Sequence, residues 1–314
     1  MSNETTPLSA RADDDVSWYS GFAGSLSTRG ERIKDTLVYT SGYLVVIAMV
    51  EVATAMIALS LPASPAPIVV GLVAFAVYGG DRITDAESDA ISSPGQSAFV
   101  KRHETALSVL SATAYGLAIA LSVLGGPDAL AITLMPGAFW ILYATDWLPA
   151  VGTHVKRLKD VLVVNSTIVA LAWAIAVVLL PMAFVDAPLT PAVAVVFVYF
   201  LVDTFVNTEI PNVADRKGDA AIGVSTLPVV FGVDGTRRIL YGIDVALIGF
   251  LLWAFYHGLL AFELAAAMVV GLGYALVLAA FVGRTRRHRR LSIAGEAKHL
   301  LVFAVILGLS AGGL

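Results

Sequence analysis

Nine apolar stretches, at roughly 38–60, 64–80, 105–125, 128–147, 161–184, 189–208, 237–257, 261–283 and 299–314, leave only short polar connections between them. A helix needs about 20 apolar residues to cross the roughly 30 Å of a bilayer's hydrocarbon, and most of these stretches supply them. The second and the last are shorter, and the last also suits an interfacial position. Lipid offers no partner to a loose backbone N–H or C=O, so such a pattern confines the chain to a helical bundle. The composition agrees, because 58% hydrophobic residues is far more than a soluble domain can bury. The expected fold is all-α: a polytopic membrane protein of about nine transmembrane helices around a central cavity. It would occupy residues 37–314, with residues 1–36 as a polar tail.

The basic residues predict the orientation. All 20 Lys and Arg fall in the tail or in the connections near 81–104, 148–160, 209–238 and 284–298. The alternate connections, such as Leu61–Pro67 and Gly125–Asp128, carry none. Positive residues accumulate on the inner side of a membrane, so the tail and those four connections are expected in the cytoplasm. The tail lacks the early apolar core of a signal peptide. The densest basic run, Arg284 to Arg290, is explained by anchoring the eighth span. Basic residues placed at membrane boundaries leave no patch for nucleic acid, and no segment calls for an obligate protein partner. With no cysteine and five scattered histidines, disulfides, thiolate chemistry and Cys- or His-rich metal sites are excluded.

Against this apolar background two acidic groups stand out. Asp81, Asp85 and Asp89 follow one another at four-residue steps, and Asp215 and Asp219 repeat the step far downstream. On a helix such spacing stacks the carboxylates one turn apart on one face. Their repulsion is relieved by a cation, and the hard, oxygen-seeking Mg²⁺ is the usual one, holding carboxylates together with a substrate's phosphates. Each group lies where an apolar span ends, on the expected cytoplasmic side. Two further acids lie inside spans: Glu51 in the first, and Asp203 in the sixth, one turn before Asn207. A charge at mid-membrane costs about 2.5–3.5 kcal/mol on insertion scales, so both should face a polar interior, and Asp203 is expected on the active cavity.

The motifs around these acids resemble a known family. Asp81-x-x-x-Asp85-x-x-x-Asp89-Ala90-Ile91-Ser92-Ser93-Pro94 is similar to the N-D-x-x-D-x-x-x-D-A-I-N-x-P signature of the UbiA superfamily of integral-membrane prenyltransferases. Asp215-x-x-Gly218-Asp219-x-x-x-Gly223-x-x-Thr226-Leu227-Pro228-x-x-x-Gly232 resembles that family's second segment position by position. Lys156-Arg157-Leu158-Lys159, leading to Asn165 and Leu171-Ala172-Trp173, resembles its basic connection before the fifth helix. The resemblance implies Mg²⁺-dependent transfer of a prenyl group from an isoprenoid diphosphate to a lipophilic acceptor within the bilayer. The acceptor would be a quinone precursor, a lipid ether or a carotenoid.

On that reading Asp85, Asp89, Asp215 and Asp219 are the catalytic carboxylates, and with Asp81 they hold the metal. Asp81, Arg82, Lys156, Arg157, Lys159, Asn165, Asp203, Asn207 and Asn212 are the expected substrate-binding residues. The cation left when the allylic C–O bond breaks needs a dry, aromatic pocket. Phe139, Trp140, Tyr143, Trp147, Phe197, Tyr199 and Phe200, on the fourth and sixth spans, are the expected aromatic residues. Three departures accompany the match: Asp81 replaces the usual Asn, Arg82 stands where an Asp is common, and Pro211-Asn212 replaces an Asn-Asp pair. Arg82 is left to pair either with a motif carboxylate or with the diphosphate. The alternative function is a repurposed, non-catalytic relative that carries or binds ions or lipids.

Overall fold

The structure is a computed structural model that describes residues 36–87, 90, 93–144, 164–222, 224–285 and 288–311. Every element among the described residues is helical. The helices are α1 (Gly42–Ala58), α2 (Ala66–Thr84), α3 (Pro94–Arg102), α4 (Glu104–Ser122), α5 (Gly126–Ala144), α6 (Val164–Ala174), α7 (Leu180–Phe184), α8 (Pro191–Ile222), α9 (Leu227–Tyr256), α10 (Phe262–Ala279) and α11 (His288–Ala311). A π-helical turn, Ile175–Leu179, joins α6 to α7.

Seven helical stretches of the described residues are long and apolar enough to cross a membrane. One of them, Glu104–Ala138, runs through α4 and into α5, although the backbone breaks at Gly126, where φ is +80°. α1, with 17 residues, is apolar but falls short of that length. The expected nine spans are therefore not all reached by this measure, but the protein is a multi-pass helical membrane protein.

α2 packs most extensively on α4 and α1, α8 on α6 and α9, and α10 on α11. α11 returns to touch both α1 and α8, so the last helix closes on the first. The shared core is built from small and branched residues: Ala48, Val52 and Ala55 of α1, Val69 and Val70 of α2, Val196 of α8, and Ala267 of α10. Lipid tails are as apolar as these side chains, so close van der Waals packing rather than exclusion from water holds such helices together. Gly271 shows the principle locally, since a Cβ there would collide with Val302 of α11.

Two elements differ from the sequence expectation, both near the second aspartate group. α8 continues through Pro211 to Ile222, well past the expected end near 208, and carries Asp215 and Asp219 on its last turns. α9 begins at Leu227 rather than near 237 and bends at Gly232, where φ is +70° and ψ 170°. A polar, proline-containing segment reads as a loop, yet here it extends two helices beyond their apolar parts.

Candidate active site

The first aspartate group sits at the C-terminus of α2. Asp81 is on the last turns of the helix, and the exposed Asp85 caps it, its N–H bonding to the Asp81 and Ile83 carbonyls. Asp89 lies outside the described residues. Arg82 Nε donates to Ser41 Oγ at 3.2 Å, which ties the end of α2 to the start of α1. Below the acids Ser97 Oγ donates to the Ala86 carbonyl at 2.5 Å and joins the turn after α2 to α3.

The second group rides on α8. Asp215 is exposed and Asp219 half-buried, one turn apart on the helix. The Thr226 hydroxyl donates to Asp219 Oδ2 at 3.3 Å instead of capping α9, and the Val224 N–H bonds to the Asp219 carbonyl. The Thr-Leu-Pro step thus folds back onto the aspartate it follows in sequence. Gly232, six residues on, occupies the left-handed region that an L side chain enters only at a cost. Asn212 Nδ2 donates to Glu209 Oε2 at 3.2 Å, and the Ser166 hydroxyl of α6 donates to Glu209 Oε1 at 2.6 Å, so a buried carboxylate staples α6 to α8 two turns before the motif.

Lys156, Arg157 and Lys159 lie outside the described residues, and Asn165 is on α6 with its side chain not described. Among the described residues no group of three or more His, Asp or Glu side chains is arranged to hold a metal ion by itself. The donor chemistry nevertheless fits Mg²⁺: each group offers hard carboxylate oxygens in ones and twos, and this ion takes only one or two carboxylates while keeping water and phosphate oxygens.

A cavity of about 190 Å³ opens beside the first group, between α2, α5 and α6. Val70, Val73, Ala74, Val77, Tyr78 and Asp81 line it from α2, spaced so that they share one helical face. Ile168, Val169, Ala172 and Trp173 face them from α6, with Pro136 of α5 and Ala176 of the π turn. Only the Asp81 end is acidic. Tyr78 and Trp173 meet edge to face, their ring centroids 6.1 Å apart.

Asp203 and Asn207 occupy a different place. Asp203 is wholly buried, its oxygens 2.6 Å from Lys298 Nζ and 3.1 Å from His299 Nε2. Neither oxygen meets its partner at hydrogen-bonding angles, so these contacts are ionic rather than directional. Lys298 donates to Asn207 Oδ1 at 2.9 Å, His299 Nε2 lies 2.8 Å from Glu51 Oε1, and Trp173 Nε1 donates to Glu51 Oε2 at 2.6 Å. Four helices meet in this cluster. Asp244 of α9 is also fully buried, and its carboxylate oxygens have no hydrogen-bond partner. Lys298, expected at a cytoplasmic boundary, is instead 1% exposed inside the bundle. Tyr199 and Phe200, expected near the cation, are buried in the core, and Phe200 stacks on His299. Among the described residues the aromatic ones lining the cavity are Tyr78 and Trp173, while the side chains of Phe139, Trp140, Tyr143 and Trp147 lie outside the described residues. Of the two, only Trp173 figures in the sequence reading, as part of the Leu171-Ala172-Trp173 step.

The sequence matches the UbiA prenyltransferase family over residues 42–305. The chain belongs to that family. Its fold is similar to solved UbiA structures: a homologue from Archaeoglobus fulgidus bound to GPP and Mg²⁺ (TM-score 0.60, 12% identity, covering 86% of this chain and 99% of that one). A second is the apo UbiA homologue from Aeropyrum pernix K1 (TM-score 0.58, 13% identity, 87% and 97% covered). A third is a digeranylgeranylglyceryl phosphate synthase (TM-score 0.57, 16% identity, 88% and 98% covered). No curated protein sequence gives a match. At these identities the structures speak for the UbiA fold alone, whereas the family match speaks for a membrane prenyltransferase lineage.

Proposed function

We propose that the protein transfers a prenyl group from an isoprenoid diphosphate to a lipophilic acceptor in the membrane. The observation that carries this is the narrow apolar cavity that ends at Asp81, one helical turn from Asp85, in a chain of the UbiA prenyltransferase family. An isoprenoid tail matches such a cavity, and its diphosphate would lie at the acidic end. As the allylic C–O bond breaks, the electron pair leaves with the diphosphate and the carbon joins the acceptor. Asp85, Asp89, Asp215 and Asp219, with Asp81 beside them, are the residues to hold Mg²⁺, one or two carboxylates to an ion, and the metal would supply the positive charge that offsets the leaving diphosphate. Arg82, Lys156, Arg157, Lys159, Asn165 and Asn212 are assigned to the diphosphate end. Apolar walls keep water from the cation. The solved homologue bound to GPP and Mg²⁺ supports this substrate class and metal.

The test is incubation of purified protein in lipid vesicles with labelled prenyl diphosphates and a panel of quinone-precursor, glycerol-lipid and carotenoid acceptors. Transfer that disappears with EDTA and returns with Mg²⁺ is the expected result. Ca²⁺ should restore less, because it prefers longer bonds and more ligands. A second reading, an ion or lipid carrier that kept the fold, draws support from the ionisable residues buried at Glu51, Asp203, Lys298 and His299. Ion flux into vesicles without any prenyl transfer would favour it.

We further assign residues 37–314 to the membrane domain, and the tail and aspartate motifs to the cytoplasmic side. In the cysteine-free chain, Ala63→Cys should react with an impermeant thiol reagent from outside the cell and Arg284→Cys only from inside. The reverse labelling would invert the topology.

A further inference from the structure

The buried ion cluster is separate from the aspartate ends, yet one of its bonds reaches the cavity. Trp173 lines the cavity and is only half-buried, while its Nε1–H donates to the fully buried Glu51. Both oxygens of that carboxylate are engaged, one by the indole and the other by His299 at 2.8 Å. His299 in turn lies 3.1 Å from Asp203, whose other oxygen faces Lys298. Glu51 cannot turn without separating buried charges, and the indole cannot turn without leaving a buried carboxylate oxygen unmet. Both moves are costly where water is absent.

The height of Trp173 along the cavity also matters. It packs on Tyr78, which precedes Asp81 by three residues, or about 4.5 Å of helix rise. The indole therefore stands at the acidic end of the cavity, well above Val70, where only the tail of a long chain would reach.

We infer that Glu51, held in place by His299, Asp203 and Lys298, is a positioning residue that fixes the Trp173 indole as the cavity wall beside the allylic carbon. This rests on the prenyl-transfer reading. When the electron pair departs with diphosphate, that carbon is positive until the acceptor bonds to it, and a nearby aromatic ring is attractive to positive charge. A carboxylate on the indole N–H adds negative charge behind the ring. Every allylic diphosphate places the same carbon there, so the effect should be independent of chain length.

The test uses the full-length protein in vesicles with dimethylallyl, geranyl and geranylgeranyl diphosphates. Trp173→Phe, which removes the N–H but keeps the Glu51–His299 and Asp203–Lys298 charge pairs, should lower kcat about tenfold with all three, with KM within about threefold. Glu51→Leu should do the same. Glu51→Gln, which keeps an acceptor oxygen for the indole while losing the charge that faces His299, should retain most of the activity. Equal losses in Glu51→Gln and Glu51→Leu, or undiminished turnover in Trp173→Phe, would overturn the inference.

A second readout does not need turnover. With 5-fluorotryptophan incorporated, the ¹⁹F resonance missing in Trp173→Phe identifies Trp173 among the five tryptophans. That resonance should hold in Glu51→Gln and shift or broaden in Glu51→Leu, and an unmoved signal in Glu51→Leu overturns the positioning role. Should wild type transfer no prenyl group at all, the prenyl reading fails and the ¹⁹F result alone decides whether Glu51 holds the indole.

Discussion

Asp85 and Asp215 stand exposed at helix ends, while Asp203 is closed off in the middle of the bundle between Lys298 and His299. All three are aspartates in or beside apolar helices, and their surroundings differ in what can reach them. A carboxylate at an exposed helix end can be reached by a cation and a ligand from the water. A carboxylate sealed against protein cations has exchanged its water for fixed partners. Removing one side of such a pair strands the other. Substitution at the ends should therefore remove function without unfolding, whereas removing one member of the Asp203–Lys298 pair should unfold.

The sharpest break of that contrast is Lys298→Met. It leaves Asp203 facing His299 alone and should cost about 3–5 kcal/mol of stability, measured as unfolding in mixed detergent micelles. Asp85→Ala and Asp219→Ala should do the reverse. Each should lower transfer about 10²–10³-fold, the scale of losing one charge-stabilising group, with a stability change within about 0.5 kcal/mol for Asp85→Ala and about 1 kcal/mol for Asp219→Ala, which also loses the Thr226 hydrogen bond. If Asp219→Ala unfolds the protein as readily as Lys298→Met, the two regions do not differ as described. Gly232→Ala tests the backbone beneath the second motif. A Cβ at φ +70° should cost about 1–2 kcal/mol and disturb the Thr226–Asp219 contact, lowering transfer more than the stability loss explains. The smallest effect is expected of Asp81→Asn, within about threefold in turnover, because it keeps an oxygen at the cavity rim and supplies the residue the family usually has there.

Much of this was legible in the sequence because it is local. Apolar length marks helices, so Asp81 near the end of the second span could be placed without a structure, whereas Asp215 and Asp219 read as part of a connection rather than of α8. The same local cues misled at Lys298. A basic residue beside an apolar span is ordinarily an anchor at the interface, and nothing within a helical turn shows that its partner is Asp203 on another helix. The two deep acids, Glu51 and Asp203, did announce a polar interior. Their cations were hidden because Lys298 and His299 sit at the edge of an apolar stretch rather than at its centre. Trp173 was hidden for a similar reason, since its cavity role depends on α2 passing opposite α6. The extension of α8 through Pro211 was masked by residue type, as proline and charged residues ordinarily mark a loop.

The pairing of Glu51 with His299 also sets an order for biogenesis. Glu51 enters the membrane on α1, the first helix described, while His299 and Lys298 arrive on the last one described. Until then Glu51 and Asp203 lie in lipid, or in the insertion machinery, as acids without their cations. Completion of α11 supplies those cations, so the cluster can close only after that helix has been made. A chain stopped before Leu291 would present two stranded acids to the cell's membrane proteases, and its half-life in a pulse-chase experiment should be short beside that of the full-length protein.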